Sequence, residues 1–176
     1  MRIPLIALLL VVGGLIVARG QSSSDAKMQA QLKRLFPSAT SFSPKEGDPP
    51  HFKAYTNDPR SRAQTLLGFA FWTTELEPLE RGYDGPIKIL VGLDTKAILT
   101  GIIVVDHHEP YGNFSIEPPE FAAQFMGKNI RDPFKVGADI DAVSRATISI
   151  TTASREVKNS ARRVARHLLT PPEAGK

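Results

Sequence analysis

The longest regular pattern of apolar and polar positions lies near the C-terminal end of the chain. Apolar residues recur there at steps of three or four, at Ile150, Ala153, Val157, Ala161, Val164 and Leu168. This spacing keeps one face of an α-helix against a core. The pattern therefore predicts a helix from Ile150 onward, with a solvated opposite face that carries Arg155, Lys158, Arg162, Arg163 and Arg166.

The middle of the chain shows the shorter period of β-strands. Residues 66–76 are rich in aromatic and β-branched side chains. In residues 87–93, apolar Ile87, Ile89, Val91 and Leu93 alternate with Lys88, Leu90 and Gly92, which suits a strand with one well-buried face. A turn at Asp94-Thr95-Lys96 leads into residues 98–105, which predicts a hairpin. With one more strand at residues 51–55, the order predicts an α+β fold, an antiparallel β-sheet meander packed with a few helices.

The remaining segments complete a single small domain behind an N-terminal apolar segment. Residues 21–25 read as a flexible linker and residues 26–36 as a short helix, so residues 21–45 are set apart from a domain at 46–170 and a tail at 171–176. Residues 41–50 and 129–141 are expected to be irregular, and 57–60 to form a turn. A short helix is expected after Pro118 and Pro119, through Phe121 to Met126.

Residues 1–20 predict a signal peptide or a membrane anchor. Arg2 precedes an uncharged, mostly apolar run over residues 3–18. The run is longer than a common signal-peptide core and shorter than a typical spanning helix, so both interpretations stay open. Either one places the rest of the chain outside the cytoplasm, in the periplasm or on the outer face of the cytoplasmic membrane.

Charge and cysteine content narrow the function classes. The net charge is +4, but Arg2 and Arg19 lie in the N-terminal segment, which leaves 20 basic against 18 acidic residues. That balance is not typical of a nucleic-acid-binding protein. The chain has no cysteine, which excludes disulfides, Cys-ligated iron–sulfur clusters and covalent c-type haem.

Candidate chemistry lies in the polar turn before the long helix. Thr147 and Ser149 directly precede the predicted helix start, where backbone N–H groups lack partners and the helix dipole favours an anion such as phosphate. The alternative is that Ser149 or Thr151 is an N-cap and Thr147 is only a loop residue.

Residues 141–147 resemble the Asp-x-x-Ser-Gly-Ala-Thr signature of FMN-binding domains. These domains occur in Rnf G subunits, in C subunits of sodium-translocating NADH:quinone reductases and in accessory proteins of the NosR type. The resemblance implies that Thr147 carries FMN through a phosphoester, installed from FAD by a separate flavin transferase that uses Mg²⁺. Asp141, Ser144 and Ala146 match the signature. Arg145 departs from it, because the family usually has Gly there, a residue that favours positive φ or close backbone approach. An Arg at this position has the charge to pair with the phosphate.

Two further segments agree with this resemblance. Residues 82–87 are similar to the family's Gly-Tyr-x-Gly-Pro-Ile segment, and residues 107–112 to its His-x-Glu-(Thr/Pro)-x-Gly segment. The resemblance implies a flavin site that also includes Tyr83, Gly85, Glu109, Tyr111, Gly112, Ile148 and Ser149. A metal site at His107-His108-Glu109 is not expected, since neighbouring side chains on a strand point to opposite faces.

The sequence thus predicts an extracytoplasmic electron carrier with covalent FMN and no substrate turnover of its own. Its expected partners are the flavin transferase and a membrane-bound redox protein. The N-terminal segment also reaches the membrane if it is not cleaved. One alternative is a redox-sensing or accessory domain of a reductase system. The other, motivated by Arg145, is a degenerate flavin-free interaction module.

Overall fold

The computed structural model describes residues 23–58 and 63–169. The predictions for residues 1–20, for the end of the turn after Asn57 and for the tail at 171–176 lie outside the described residues. The elements, in chain order, are α1 (Ser23–Leu35), β1 (Ser41–Phe42), β2 (Phe52–Asn57), β3 (Gln64–Trp72), α2 (Thr73–Leu76), β4 (Lys88–Asp94), β5 (Leu99–Asp106), α3 (Gly112–Ser115), α4 (Pro119–Ala123) and α5 (Thr147–Leu168).

The strands form one five-stranded antiparallel sheet in the order β1-β2-β3-β4-β5. The predicted meander and α+β class are therefore confirmed. The β4–β5 hairpin aligns Leu90 with Ile103. The Asp94 carboxylate accepts hydrogen bonds from the backbone N–H groups of Lys96 and Ile98, each at 2.8 Å. This short side chain fixes the turn that the sequence predicted.

Both faces of the central strands are buried, and a different helix covers each face. Phe71, Ile89 and Val91 belong to a large core that α5 completes. Trp72 and Leu90 belong to a second core closed by residues of α1 and the segment after it: Leu32, Leu35, Phe36 and Ala39. Because successive side chains on a strand point to opposite faces, a central strand can serve two cores only when nearly every position is apolar.

Several element boundaries differ from the predictions. Helix α1 begins at Ser23, inside the predicted linker, and β1 lies inside the predicted loop at 41–50. Strand β3 ends at Trp72, not at residue 76, because the chain turns into α2. Thr73 holds that corner: its hydroxyl lies 3.2 Å from both the carbonyl oxygen of Ile87 and the N–H of Ile89. The segment set apart at 21–45 thus contains a helix and a strand that pack on the same sheet.

Helix α5 begins at Thr147, three residues before the predicted start. Its apolar face is buried as predicted, with Ile150, Ala153 and Val157 all inaccessible to solvent. Its arginine-rich face is not simply solvated. Arg155 forms a bidentate pair with the Glu80 carboxylate, and Arg162 donates to the carbonyl oxygen of Ile130 at 2.6 Å. These contacts tie the helix to the loops that flank the sheet.

The irregular approach at 129–141 is confirmed, apart from isolated bridges. Asp139 orders it. Its carboxylate accepts the backbone N–H groups of Phe134 and Lys135 and pairs with the Lys128 ammonium at 3.1 Å. Within the described part of the chain, none of the helices has both the length and the apolar character needed to cross a membrane.

A polar stripe on the buried side of α5 faces the segment between β3 and β4. Thr152 donates to the carbonyl oxygen of Arg81 at 3.0 Å, and Glu156, only 1% exposed, lies beside Thr73. Burial, reinforced by the nearby carboxylates of Glu80 and Glu77, raises the pKa of Glu156 to about 7. The Thr73 hydroxyl already donates to Ile87 and accepts from Ile89, so it has no second proton to donate to an ionised Glu156.

We predict that Glu156 makes unfolding stability depend on pH. Its folded pKa, about 7, lies above its ordinary value of 4.5, so its contribution is full below the ordinary value and is lost as pH rises through 7. Glu156→Gln mimics the neutral acid. The stability of wild type relative to this variant should fall by on the order of 3 kcal/mol between pH 4.5 and pH 7.5.

Urea unfolding of both proteins across this pH range measures the difference. Glu120→Gln, at an exposed position of α4, is the matched control and should run parallel to wild type. A constant difference between wild type and Glu156→Gln would show that the fold does not raise the pKa of Glu156.

Candidate functional site

The first turn of α5 presents its hydroxyl side chains to different environments. Thr147 and Ile148 are exposed, whereas Ser149 is only 3% exposed. No side chain caps the helix, whose N-cap is Ala146. Ser149 and Thr151 are therefore not N-caps, and within the described residues the Thr147 hydroxyl has no hydrogen-bond partner. The backbone N–H groups of this turn have no acceptor within the helix.

The turn ahead of α5 keeps the backbone shape that a glycine would favour. Arg145 has a φ of 70°, in the left-handed region that non-glycine residues seldom occupy. Ala146 then donates its N–H to the carbonyl oxygen of Val143 at 3.1 Å and is itself buried. Arg145 therefore adopts a backbone conformation in which glycine is the usual residue. It adds a charged side chain two residues before Thr147.

Glu109 joins three segments that are distant in the sequence. It follows β5 and is only 6% exposed. Its carboxylate accepts the backbone N–H groups of Tyr83 and Asp84 at 2.9 and 3.0 Å, and it accepts the hydroxyl of Ser149 on α5. Gly82 packs against the same carboxylate so closely that a Cβ there would overlap it. Glu109 therefore sets where the Tyr83 loop meets the start of α5.

Burial by itself would raise the pKa of Glu109, because removal from water penalises the charged form. The hydrogen bonds from Ser149, Asp84 and Tyr83, together with His107, outweigh burial and lower the pKa below its ordinary value. Glu109 is thus a buried carboxylate at neutral pH, and its charge is balanced by these donors.

A cleft of about 290 Å³ lies next to Ser149, the α5 partner of Glu109. Its lining includes the exposed Thr147 and Ile148 from α5, Arg145 from the preceding turn, and Tyr83 and Tyr111 from the two loops on the opposite side. Most of the lining is apolar, and Tyr83, Tyr111 and Ile148 are 69%, 41% and 53% exposed. Large exposed apolar side chains around a concave site are typical of a ligand or partner surface.

The structure brings together most of the residues that the sequence indicated, in three roles. Those that line the cleft are Tyr83, Tyr111, Arg145, Thr147, Ile148 and Ser149. Glu109 does not line the cleft, but it bonds to two residues that do, Tyr83 and Ser149. The other predicted residues do not line the cleft. Gly85 accepts the N–H of Gly82 at 2.7 Å, Gly112 begins α3, and the N–H of Asp141 bonds to the Gln124 side chain. Ser144 and Ala146 lie in the turn that leads into α5.

Two residues at the site were not among the predicted ones. Pro110 lines the cleft, and the Phe114 ring packs on the Tyr111 ring with centroids 5.4 Å apart. The spacing of three residues between Tyr111 and Phe114 suits neighbours on a helical turn. That signal was available in the sequence, but α3 is too short to give a recognisable period.

The His107 ring has structural partners. One ring nitrogen lies 3.0 Å from the Glu117 carboxylate, and the other accepts the backbone N–H of Glu109 at 3.0 Å. Among the described residues, no group of three or more His, Cys, Asp or Glu side chains is arranged to hold a metal ion.

Comparison with known protein families identifies the region that contains this cleft. Residues 82–165, which include the Tyr83 loop, Glu109 and most of α5, match the family described as the FMN-binding domain. The matched segment belongs to the FMN-binding domain family. The three sequence segments that suggested this family are thus the ones that the fold assembles around one cleft.

The chain is also similar to two kinds of bacterial protein. It is 27% identical to the regulatory protein NosR of Pseudomonas aeruginosa over 168 residues, which is 90% of this chain and 22% of that protein. It is 33% identical to the G subunit of an ion-translocating oxidoreductase complex of Aliivibrio fischeri over 89 residues, which is 45% of this chain and 42% of that protein. The chain thus spans less than half the length of either relative.

We predict that Glu109→Gln loosens the contact between the Tyr83 loop and α5. A Gln amide offers one acceptor oxygen, and its NH₂ group would face backbone donors, so unfolding stability at pH 7 should fall by on the order of 3 kcal/mol. The carboxylate has a lowered folded pKa, so its contribution is present above its ordinary value of 4.5 and is lost as pH falls through the folded value.

Urea unfolding at pH 7 and pH 3 tests this, and the gap between wild type and Glu109→Gln should narrow at pH 3. Glu117→Gln, at the exposed partner of His107, should cost far less. Equal stability of Glu109→Gln and wild type at pH 7 would contradict the role assigned to this carboxylate.

Proposed function

We propose that the chain is an electron-carrying flavoprotein, with FMN attached covalently to Thr147 through a phosphoester. The observation that carries this proposal is the contrast between two neighbouring hydroxyl groups. The Ser149 hydroxyl is buried and bonded to Glu109, whereas Thr147 is exposed in the cleft and its hydroxyl is free among the described residues. Thr147 is thus the hydroxyl that a separate enzyme can reach.

The surroundings of Thr147 fit a phosphate. The N–H groups of the first helical turn lack acceptors within the helix, and the positive end of the helix dipole favours an anion at this end. In the transfer from FAD, the Thr147 oxygen forms a new bond to the phosphorus on the flavin side. The bond from that phosphorus to the AMP phosphate oxygen breaks, AMP leaves, and the hydroxyl proton passes to solvent or to a base of the transferase.

The apolar lining of the cleft fits the flavin ring system. Tyr83 and Tyr111 offer aromatic faces for stacking, and Ile148 offers an aliphatic contact next to Thr147. A volume of about 290 Å³ lies at the small end of ligand pockets, so a ring bound here keeps an edge exposed to a partner. FMN supplies the redox chemistry when bound, and the protein positions it and sets its surroundings.

An extracytoplasmic location and a membrane redox partner follow from the same proposal. The apolar segment at 1–20 has the composition of an export signal or anchor. Covalent attachment suits a compartment in which a dissociated cofactor is not replaced. The chain has no cysteine for a second redox centre of the iron–sulfur or c-type haem class, so electrons must come from another protein or a small carrier.

A second candidate function is an accessory or redox-sensing role in a reductase system. The similarity to regulatory protein NosR over 90% of the chain favours it. Both candidates require flavin at the same cleft. They differ in whether the reduced chain passes electrons to a partner at a rate that supports turnover, which stopped-flow reoxidation by membranes of the source organism can measure.

We predict that Thr147→Ala abolishes covalent flavin. Wild type co-produced with a flavin transferase should gain the mass of FMN less one water, and should keep flavin absorbance after denaturation. Thr147→Ala should do neither, because no other hydroxyl of the first turn is exposed. Thr151→Ala, which removes an exposed hydroxyl one turn further along α5, is the matched control and should be flavinylated like wild type.

A wild-type chain that stays colourless at its unmodified mass, with a transferase that modifies a known acceptor in the same cells, would contradict the proposal. In that case the flavin-free interaction module becomes the better account.

A further inference from the structure

Arg145 differs from the other arginines near α5. Arg155 is paired with a carboxylate, and Arg162 and Arg163 donate to backbone carbonyl oxygens. Arg145 is exposed, and within residues 23–58 and 63–169 no hydrogen bond or ion pair engages its guanidinium. Its side chain lines the cleft that also contains Thr147.

The charge in the cleft is unbalanced. The residues that line it are Tyr83, Pro110, Tyr111, Arg145, Thr147, Ile148 and Ser149, and Arg145 is the charged one among them. Glu109, the buried acid next to the cleft, is outside the lining and is already bonded to the Ser149 hydroxyl and to the backbone N–H groups of the Tyr83 loop. An anion that enters the cleft next to Thr147 therefore meets a guanidinium that has no competing acid in the lining.

We propose that the Arg145 guanidinium binds the phosphate oxygens of the flavin at Thr147, both while FAD is presented and after the phosphoester has formed. This inference rests on the proposed function. Guanidinium groups match phosphate in charge and geometry and can donate two parallel hydrogen bonds. Arg145 is a positioning residue for the phosphate, and it takes no part in making or breaking bonds.

Three substitutions separate the charge from the backbone conformation. Arg145→Gly removes the charge and relieves the positive φ of 70°. Arg145→Asn removes the charge at a residue type that tolerates this conformation. Arg145→Lys keeps the positive charge but cannot donate two parallel hydrogen bonds from a planar group. Gly and Asn variants should be at least as stable as wild type, so a loss of function in them cannot come from misfolding.

The first readout needs no flavin transfer. The full chain is purified in detergent without flavin, and its melting temperature is measured in sodium phosphate and in sodium chloride of equal ionic strength. Phosphate should raise the melting temperature of wild type and of Thr147→Ala relative to chloride. The rise should be absent in Arg145→Asn and Arg145→Gly, and smaller but present in Arg145→Lys.

The second readout is the rate of flavinylation by a transferase at limiting FAD. Loss of a charge-assisted contact predicts a rate lower by on the order of tenfold in Arg145→Asn and Arg145→Gly, and a smaller loss in Arg145→Lys. If both neutral variants match wild type in phosphate response and in rate, the inference is overturned while covalent attachment at Thr147 stands. If wild type takes no flavin but its phosphate response requires Arg145, the covalent proposal fails and Arg145 remains an anion-binding residue.

Discussion

The contact between the Glu109 carboxylate and Ser149 is the interaction on which the site depends. Glu109 follows β5, its other two donors belong to the loop before β4, and Ser149 lies in the first turn of α5. Thr152 and Arg155 also bond to the segment before β4, but they lie further along the helix and their bonds do not include the end of β5. A buried carboxylate without donors would be strongly disfavoured, so the fold either assembles all three segments or leaves a charge unsatisfied. The geometry of the cleft is thereby tied to the stability of the domain.

This contact also distinguishes the hydroxyl groups of α5. Ser149 is bonded to Glu109 and buried, which leaves Thr147, two residues earlier, exposed to solvent. The same carboxylate lies near the positive end of the helix dipole and partly compensates it. An anion in the cleft then relies on the free N–H groups of the first turn and on Arg145. Further along α5, Thr152 bonds to Arg81 and Glu156 lies beside Thr73, so the helix also contacts the segment between β3 and β4 there.

The regular elements were predictable because their patterns of apolar and polar residues repeat over enough positions to be recognised. The β4–β5 hairpin and the buried face of α5 follow from alternation and from the spacing of Ile150, Ala153 and Val157. The boundaries failed where tertiary contacts decide them: Thr73 ends β3 through bonds to residues across the sheet, and α5 begins at Thr147 although the apolar period begins at Ile150. The sequence motifs named residues from three segments, and several of these residues line one cleft. They could not reveal that the Glu109 carboxylate is bonded to both the Tyr83 loop and α5, since that depends on three segments meeting. Nor could they show that Arg145 has the positive φ that a glycine would favour.

The central claim is that the flavin is attached to one hydroxyl, that of Thr147. Trypsin cleaves after Arg145 and Arg155, and the resulting peptide 146–155 contains Thr147, Ser149, Thr151, Thr152 and Ser154. Electron-transfer fragmentation of this peptide from flavinylated protein locates the added mass residue by residue. We expect every fragment that carries the FMN phosphoester to include Thr147, and fragments that begin at Ile148 to be unmodified. Added mass on Ser149 or on a later hydroxyl would contradict the claim, because those positions are either bonded to Glu109 or lie outside the first turn of the helix.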